Sequence, residues 1–155
     1  MVKPKLNARA LIFSFVIVFI VAFMGSLFTD IGPWYESVKP SITPPSFVFP
    51  IAWTILFILI ALSLYFALVN SKNKGQKKKI AWVYGLNFIL NILWSLLFFT
   101  LKKPKLAFAE IIILWLSIAG MILVSWKIDK KAGWLLLPYL LWVAFASVLT
   151  FLIAF

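Results

Sequence analysis

Five apolar stretches, each about 20 residues long, take up most of this 155-residue chain. They lie near Ala10–Thr29, Ser46–Val69, Ile80–Thr100, Leu106–Trp126 and Gly133–Phe155. An α-helix rises ~1.5 Å per residue, so each run matches the ~30 Å hydrocarbon layer of a bilayer. Backbone groups in lipid must bond within their own segment, and these runs are too long and too continuous for alternating barrel strands. The expected fold is an all-α membrane protein, a five-transmembrane-helix bundle forming one domain over residues 1–155. The composition agrees: 65% of residues are hydrophobic, more than a soluble domain of this size can hide from water. The basic segment Met1–Arg9 ahead of the first run has the outline of a signal peptide. The run exceeds the usual ~7–15-residue signal core, however, and no small-x-small site follows it, so a retained helix is expected.

Charge suggests an orientation. Most of the fifteen bases fall on one side of the expected bundle: Lys3, Lys5 and Arg9, then Lys72, Lys74 and Lys77–Lys79, then Lys127, Lys130 and Lys131. Lys39, Lys102, Lys103 and Lys105 fall on the other. The positive-inside rule then puts the N-terminus in the cytoplasm, and the first loop and the C-terminus outside the cell membrane. Bases at span ends face lipid phosphates, so the net charge of +11 does not point to nucleic acid.

Absences narrow the chemistry. The chain has no Cys and no His, which excludes disulfides, thiolate nucleophiles, Ser-His triads and His- or Cys-ligated zinc and haem. No glycine-rich phosphate loop is present. An ion pump sets several charged groups at mid-membrane, whereas only Glu110 lies inside a run. No metal and no required cofactor is expected.

What remains is tryptophan. Of eight copies, Trp82, Trp126 and Trp134 lie at the cytoplasmic span ends, where an aromatic belt explains them. Trp115 reads as packing or lipid contact. Trp53 lies about two turns into the second run, and Trp94 and Trp142 lie too deep for a belt, where an indole N–H wants a partner. Asn87, Asn91, Trp94 and Ser95 fall on one face of the third run by helical spacing. Gly25, Ser26, Thr54, Glu110, Ala146, Ser147 and Thr150 share the outer or central levels. Asn87 alone is best read as a hydrogen bond between helices. The collection as a whole suits a ligand pocket of aromatic faces with a few polar groups. Between the first two runs stands WYESVKPSITPP, Trp34–Pro45. Its prolines fix φ at several points, so it loses little freedom on folding down as a lid, with Trp34 and Tyr35 turned to the pocket. The alternative is a stiff surface connector with Trp34 anchored at the interface.

WYESVKPSITPP, followed by Pro50 and Trp53, then NILWSLLFF (Asn91–Phe99), AFAEIIILWL (Ala107–Leu116) and WLLLPYLLWVAFASVL (Trp134–Leu149), resembles the translocator protein family. These are the TspO/MBR or tryptophan-rich sensory proteins, here of prokaryotic type. The resemblance runs from about Trp34 to Leu149, and the KPSITPP loop and the PYLLW stretch are its specific parts. It departs at Ile42, where an aromatic is frequent, and at Thr150, where Asn is common. The sterol-recognition pattern of animal members is missing after Tyr139, so sterol binding is not carried over.

The resemblance implies a bundle that forms homodimers and binds porphyrins such as protoporphyrin, or related hydrophobic molecules, beneath the first long loop. The matching pocket positions are Trp34, Tyr35, Trp53, Asn91, Trp94, Trp142 and Ala146, to which the face argument adds Asn87. In some bacterial members, tryptophans matching Trp53 and Trp142 are linked to light-dependent porphyrin breakdown. A membrane receptor or scavenger is the leading expectation. A porphyrin-degrading photo-oxidase and a porphyrin transporter are the alternatives.

Overall fold

The computed structural model describes residues 5–155; Lys3, one of the bases used above for orientation, lies outside them. The helices are α1 (Ala8–Phe28), α2 (Pro33–Val38), α3 (Val48–Val69), α4 (Lys74–Ser95, continued by a π-helical turn over Leu96–Thr100), α5 (Pro104–Ile128), α6 (Lys130–Leu135) and α7 (Leu137–Ala154). With α6 and α7 counted as one span, five helical segments among the described residues are long and apolar enough to cross a membrane.

The ends follow from local chemistry. The Asn7 side chain accepts from the Ala10 N–H and starts α1. Asn73 does the same for α4 through the Gln76 N–H at 2.9 Å, while Gln76 Oε1 accepts from the Lys72 N–H. This reciprocal cap starts α4 at Lys74, well before the apolar run at Ile80. Lys77–Lys79 are therefore helical. Pro104 opens α5, where its missing N–H costs nothing. The fifth run, expected as one helix, is split at Leu136. Pro138 cannot donate to the Trp134 carbonyl and its ring crowds that turn, so the chain closes α6 with a tighter bond, Leu136 N–H to Gly133 O at 3.2 Å.

Around the bundle, α1 packs on α3, α3 on α6, α6 and α7 on α5, α5 on α4, and α4 back on α1. At the lysine-rich end a buried chain of hydroxyls ties four of these together. Ser63 Oγ donates to the Ala132 carbonyl at 2.7 Å. Its only proton is thereby used, so the Tyr84 hydroxyl donates to Ser63 and Ser125 donates to Tyr84 at 3.0 Å. Above it, Ile60, Ile111, Leu114, Ile118 and Met121 fill the centre. α3 and α7 meet only lightly, and toward α2 a space is left between them. The bundle opens there.

Candidate functional site

That opening is a cavity of about 310 Å³, at the lower end of the ~300–1,000 Å³ usual for small-molecule sites. Its wall comes from Ala22, Gly25 and Ser26 of α1, Tyr35 of α2, and Phe49, Pro50, Trp53 and Phe57 of α3. From α4 and its π turn come Asn91, Trp94, Ser95, Phe98 and Phe99, and from α7 Trp142, Ala146, Leu149, Thr150 and Ile153. Thr29, Ile31 and Ser46 close the rim.

The aromatic walls brace one another. Trp94 stacks on Phe98 at 5.1 Å between centroids and meets Phe99 edge-on at 5.7 Å. Trp53 stacks on Phe57 at 5.4 Å and turns an edge to Tyr139. Trp142 sits edge-on to Phe49 at 5.9 Å. It also borders a second, shallower groove between α3 and α7 with Ile55, Leu141 and Phe145. Tyr35, only 6% exposed, lies against Phe98 and Phe99. Burial, with Glu36 beside it, pushes its phenol above the ordinary value, so it meets the cavity as a neutral hydroxyl. The first loop is thus part helix: α2 carries Tyr35 onto the cavity, and a Lys39–Glu36 ion pair at 2.6 Å holds its far end.

Tyr35, Trp53, Asn91, Trp94, Trp142 and Ala146 lie on the cavity wall, and Trp34 and Asn87 lie off it. Trp34 braces Phe98 from behind at 5.6 Å, with the Lys102 ammonium 6.0 Å above its ring. Asn87 is fully buried beneath the floor. Its amide donates to Ser117 Oγ at 2.9 Å and its carbonyl accepts from the Tyr139 hydroxyl at 3.2 Å. Tyr139 in turn accepts from the Asn91 amide at 2.9 Å. The hydrogen bonds run in one direction, from Asn91 through Tyr139 and Asn87 to Ser117, joining α4, α5 and α7 under the cavity. Thr54 and Ser147 bond to carbonyls one turn back on their own helices and stay off the wall.

Phe49, Phe57, Phe98 and Phe99 join the wall, and Tyr139 the network beneath it, although nothing in their own spacing marks them; the partners of Tyr139 lie on another helix. The π turn carries one more residue than an α turn, closed by Leu101 N–H to Leu96 O at 2.9 Å, and both adjacent phenylalanines come onto the wall. Among the described residues, no group of three or more His, Cys, Asp or Glu could hold a metal ion. The site offers aromatic faces, an asparagine amide and a few hydroxyls.

The family model for TspO/MBR matches residues 13–155. The chain belongs to the TspO/MBR family. It is 39% identical over 151 residues to the tryptophan-rich protein TspO of Archaeoglobus fulgidus, covering 96% of this chain and 97% of that protein. It is 38% identical over 136 residues to the protein of the same name from Chlorobaculum tepidum, covering 86% of each. It is also similar to protein CrtK of Rhodobacter capsulatus, 33% identical over 133 residues, 82% of this chain and 79% of that one. Family membership and the five apolar spans together make this TspO/MBR chain a multi-pass membrane protein. The deep tryptophans Trp53, Trp94 and Trp142 gather at the α2 end of that bundle. At the other end Trp82 and Trp134 are 69% and 59% exposed, as belt residues are.

Proposed function

We propose that the protein is a membrane receptor or scavenger for porphyrins and related flat hydrophobic molecules, held in the cavity beneath α2. The observation that carries this reading is the convergence of Tyr35, Trp53, Trp94 and Trp142 on one space together with the Asn91 amide. Ring faces suit a planar π-system, with each stacked contact worth ~1–3 kcal/mol, and an amide and hydroxyls can orient polar edges. In this reading the lysine-rich end is cytoplasmic, and the chain works as a homodimer in the cell membrane. The test is a titration of purified protein in lipid nanodiscs with a panel of porphyrins, read by tryptophan quenching. Saturable quenching with one site per chain is expected. Quenching that only grows linearly, as for partition into empty nanodiscs, would overturn it.

A second reading is favoured by one observation: Trp53 and Trp142 both border the cavity. A bound porphyrin excited by light is an oxidant, and an indole in contact with it is an electron donor. Light-dependent breakdown of the porphyrin, with dioxygen as the oxidant that opens the ring and takes up the electrons, would then depend on these two side chains. Equal illumination of wild type and a Trp53→Phe/Trp142→Phe variant, both loaded with porphyrin, separates the readings. Breakdown lost only in the variant supports the photo-oxidase. Equal bleaching in both leaves the receptor.

A further inference from the structure

Glu110 is a carboxyl inside a span, 6% exposed, and both its oxygens are buried without a hydrogen-bond partner. Such a group is expensive in a medium without water. It is not on the cavity wall. Nor do the nearby bases reach it: Lys102 lies over Trp34 and Lys105 over Phe155, and the only ion pair among the described residues is Lys39–Glu36. The Tyr139 hydroxyl is already engaged by Asn87 and Asn91. Two other buried atoms in the spans lack partners, the indole N–H groups of Trp94 and Trp115.

Register decides between them. Asn87 on α4 bonds to Ser117 on the antiparallel α5 at 2.9 Å. Seven residues make about two helical turns and return to the same face. Seven onward from Asn87 is Trp94; seven back from Ser117 is Glu110. One turn further along α5, Ala107 packs with Leu97, Phe98 and Phe99, as the same register requires. Trp94 and Glu110 therefore face each other across the α4–α5 interface. Trp115 is five residues along α5 from Glu110, well round the helix from it.

We propose that Glu110 is a positioning residue for Trp94: the two groups, each without a partner in this structure, pair across the interface, and the carboxyl taking the indole N–H fixes the angle at which the ring faces the cavity. A carboxyl offers an acceptor oxygen whether protonated or not, and the indole is a donor only, so the two needs match. Trp94 is gripped by Phe98 on its face and Phe99 at its edge, which leaves the N–H end as the point where its tilt is set. The effect on ligand rests on the pocket reading above; the pairing itself does not.

The ultraviolet resonance Raman difference between wild type and Trp94→Phe isolates this one indole, and its N–H band reports hydrogen bonding. A bonded indole is expected in wild type and in Glu110→Gln, which keeps a carbonyl oxygen, and a free indole in Glu110→Leu. Porphyrin affinity should fall roughly three- to tenfold in Glu110→Leu, the worth of one hydrogen bond, and stay near wild type in Glu110→Gln. A free indole in wild type, or Gln behaving like Leu, would overturn the proposal. Should Glu110→Leu fail to fold, the wild-type and Gln spectra decide it. A wild type that binds no porphyrin but shows the bonded indole would sink the pocket reading and leave the pairing standing.

Discussion

Gly133 has no side chain because Trp126 occupies the space. A Cβ there would lie 2.6 Å from Trp126 Cε3, and the indole is itself held against Trp134 at 4.8 Å. Gly133→Ala should destabilise the bundle by about 1–3 kcal/mol, as overpacking does, seen as a lower melting temperature with the same ligand affinity at low temperature. Ala146 is the opposite case. It lies on the cavity wall, so Ala146→Thr should weaken porphyrin binding while melting temperature without ligand hardly changes; a large drop would reveal a packing role instead. The wall was legible in part, because depth in an apolar run sets Trp94 and Trp142 apart from a belt, whereas Ala146 was marked as a pocket position by the family resemblance. Trp34, marked by the loop motif, and Asn87, marked by its helix face, stand one layer behind the wall. Composition and spacing do not distinguish a wall from its support.

Elements were legible where one residue dictates the geometry, and less so where two helices must agree. The early start of α4 follows from the Asn73 cap and could have been read; the lysines hid it, since a basic run looks like a loop. The break before α7 was signalled by Pro138. The π turn was not, because it depends on how Phe98 and Phe99 pack against α2. In the first loop, the turn Thr43 N–H to Pro40 O at 3.0 Å and the turn Val48 N–H to Pro45 O at 3.0 Å carry the chain from α2 to α3. If this segment is a lid ordered in advance by its prolines, Pro44→Gly with Pro45→Gly should weaken porphyrin binding through restored freedom, at ~1 kcal/mol or more per freed residue. Faster dissociation is expected, with cleavage near Ser41 by added protease suppressed by ligand. Unchanged rates and no protection would make the segment a connector.

For the whole molecule, the number of spans was written in the apolar runs, but their order around the bundle was not. That order, with α3 beside α6 and only lightly against α7, comes from interhelical fit. Sidedness has a direct check, since the chain has no native cysteine. Ser41→Cys should react with a membrane-impermeant maleimide on intact cells, and Lys78→Cys only after lysis; the reverse pattern would invert the orientation. The most direct test of the cavity as the ligand site compares two tryptophans at opposite ends of the bundle. Trp142 borders the cavity, whereas Trp126 packs on Gly133 and Trp134. Porphyrin dissociation constants for Trp142→Ala and Trp126→Ala should differ by about the ~1–3 kcal/mol of a lost stacking contact, with Trp126→Ala near wild type. Equal losses at both positions, or a loss confined to Trp126→Ala, would contradict a site beneath α2.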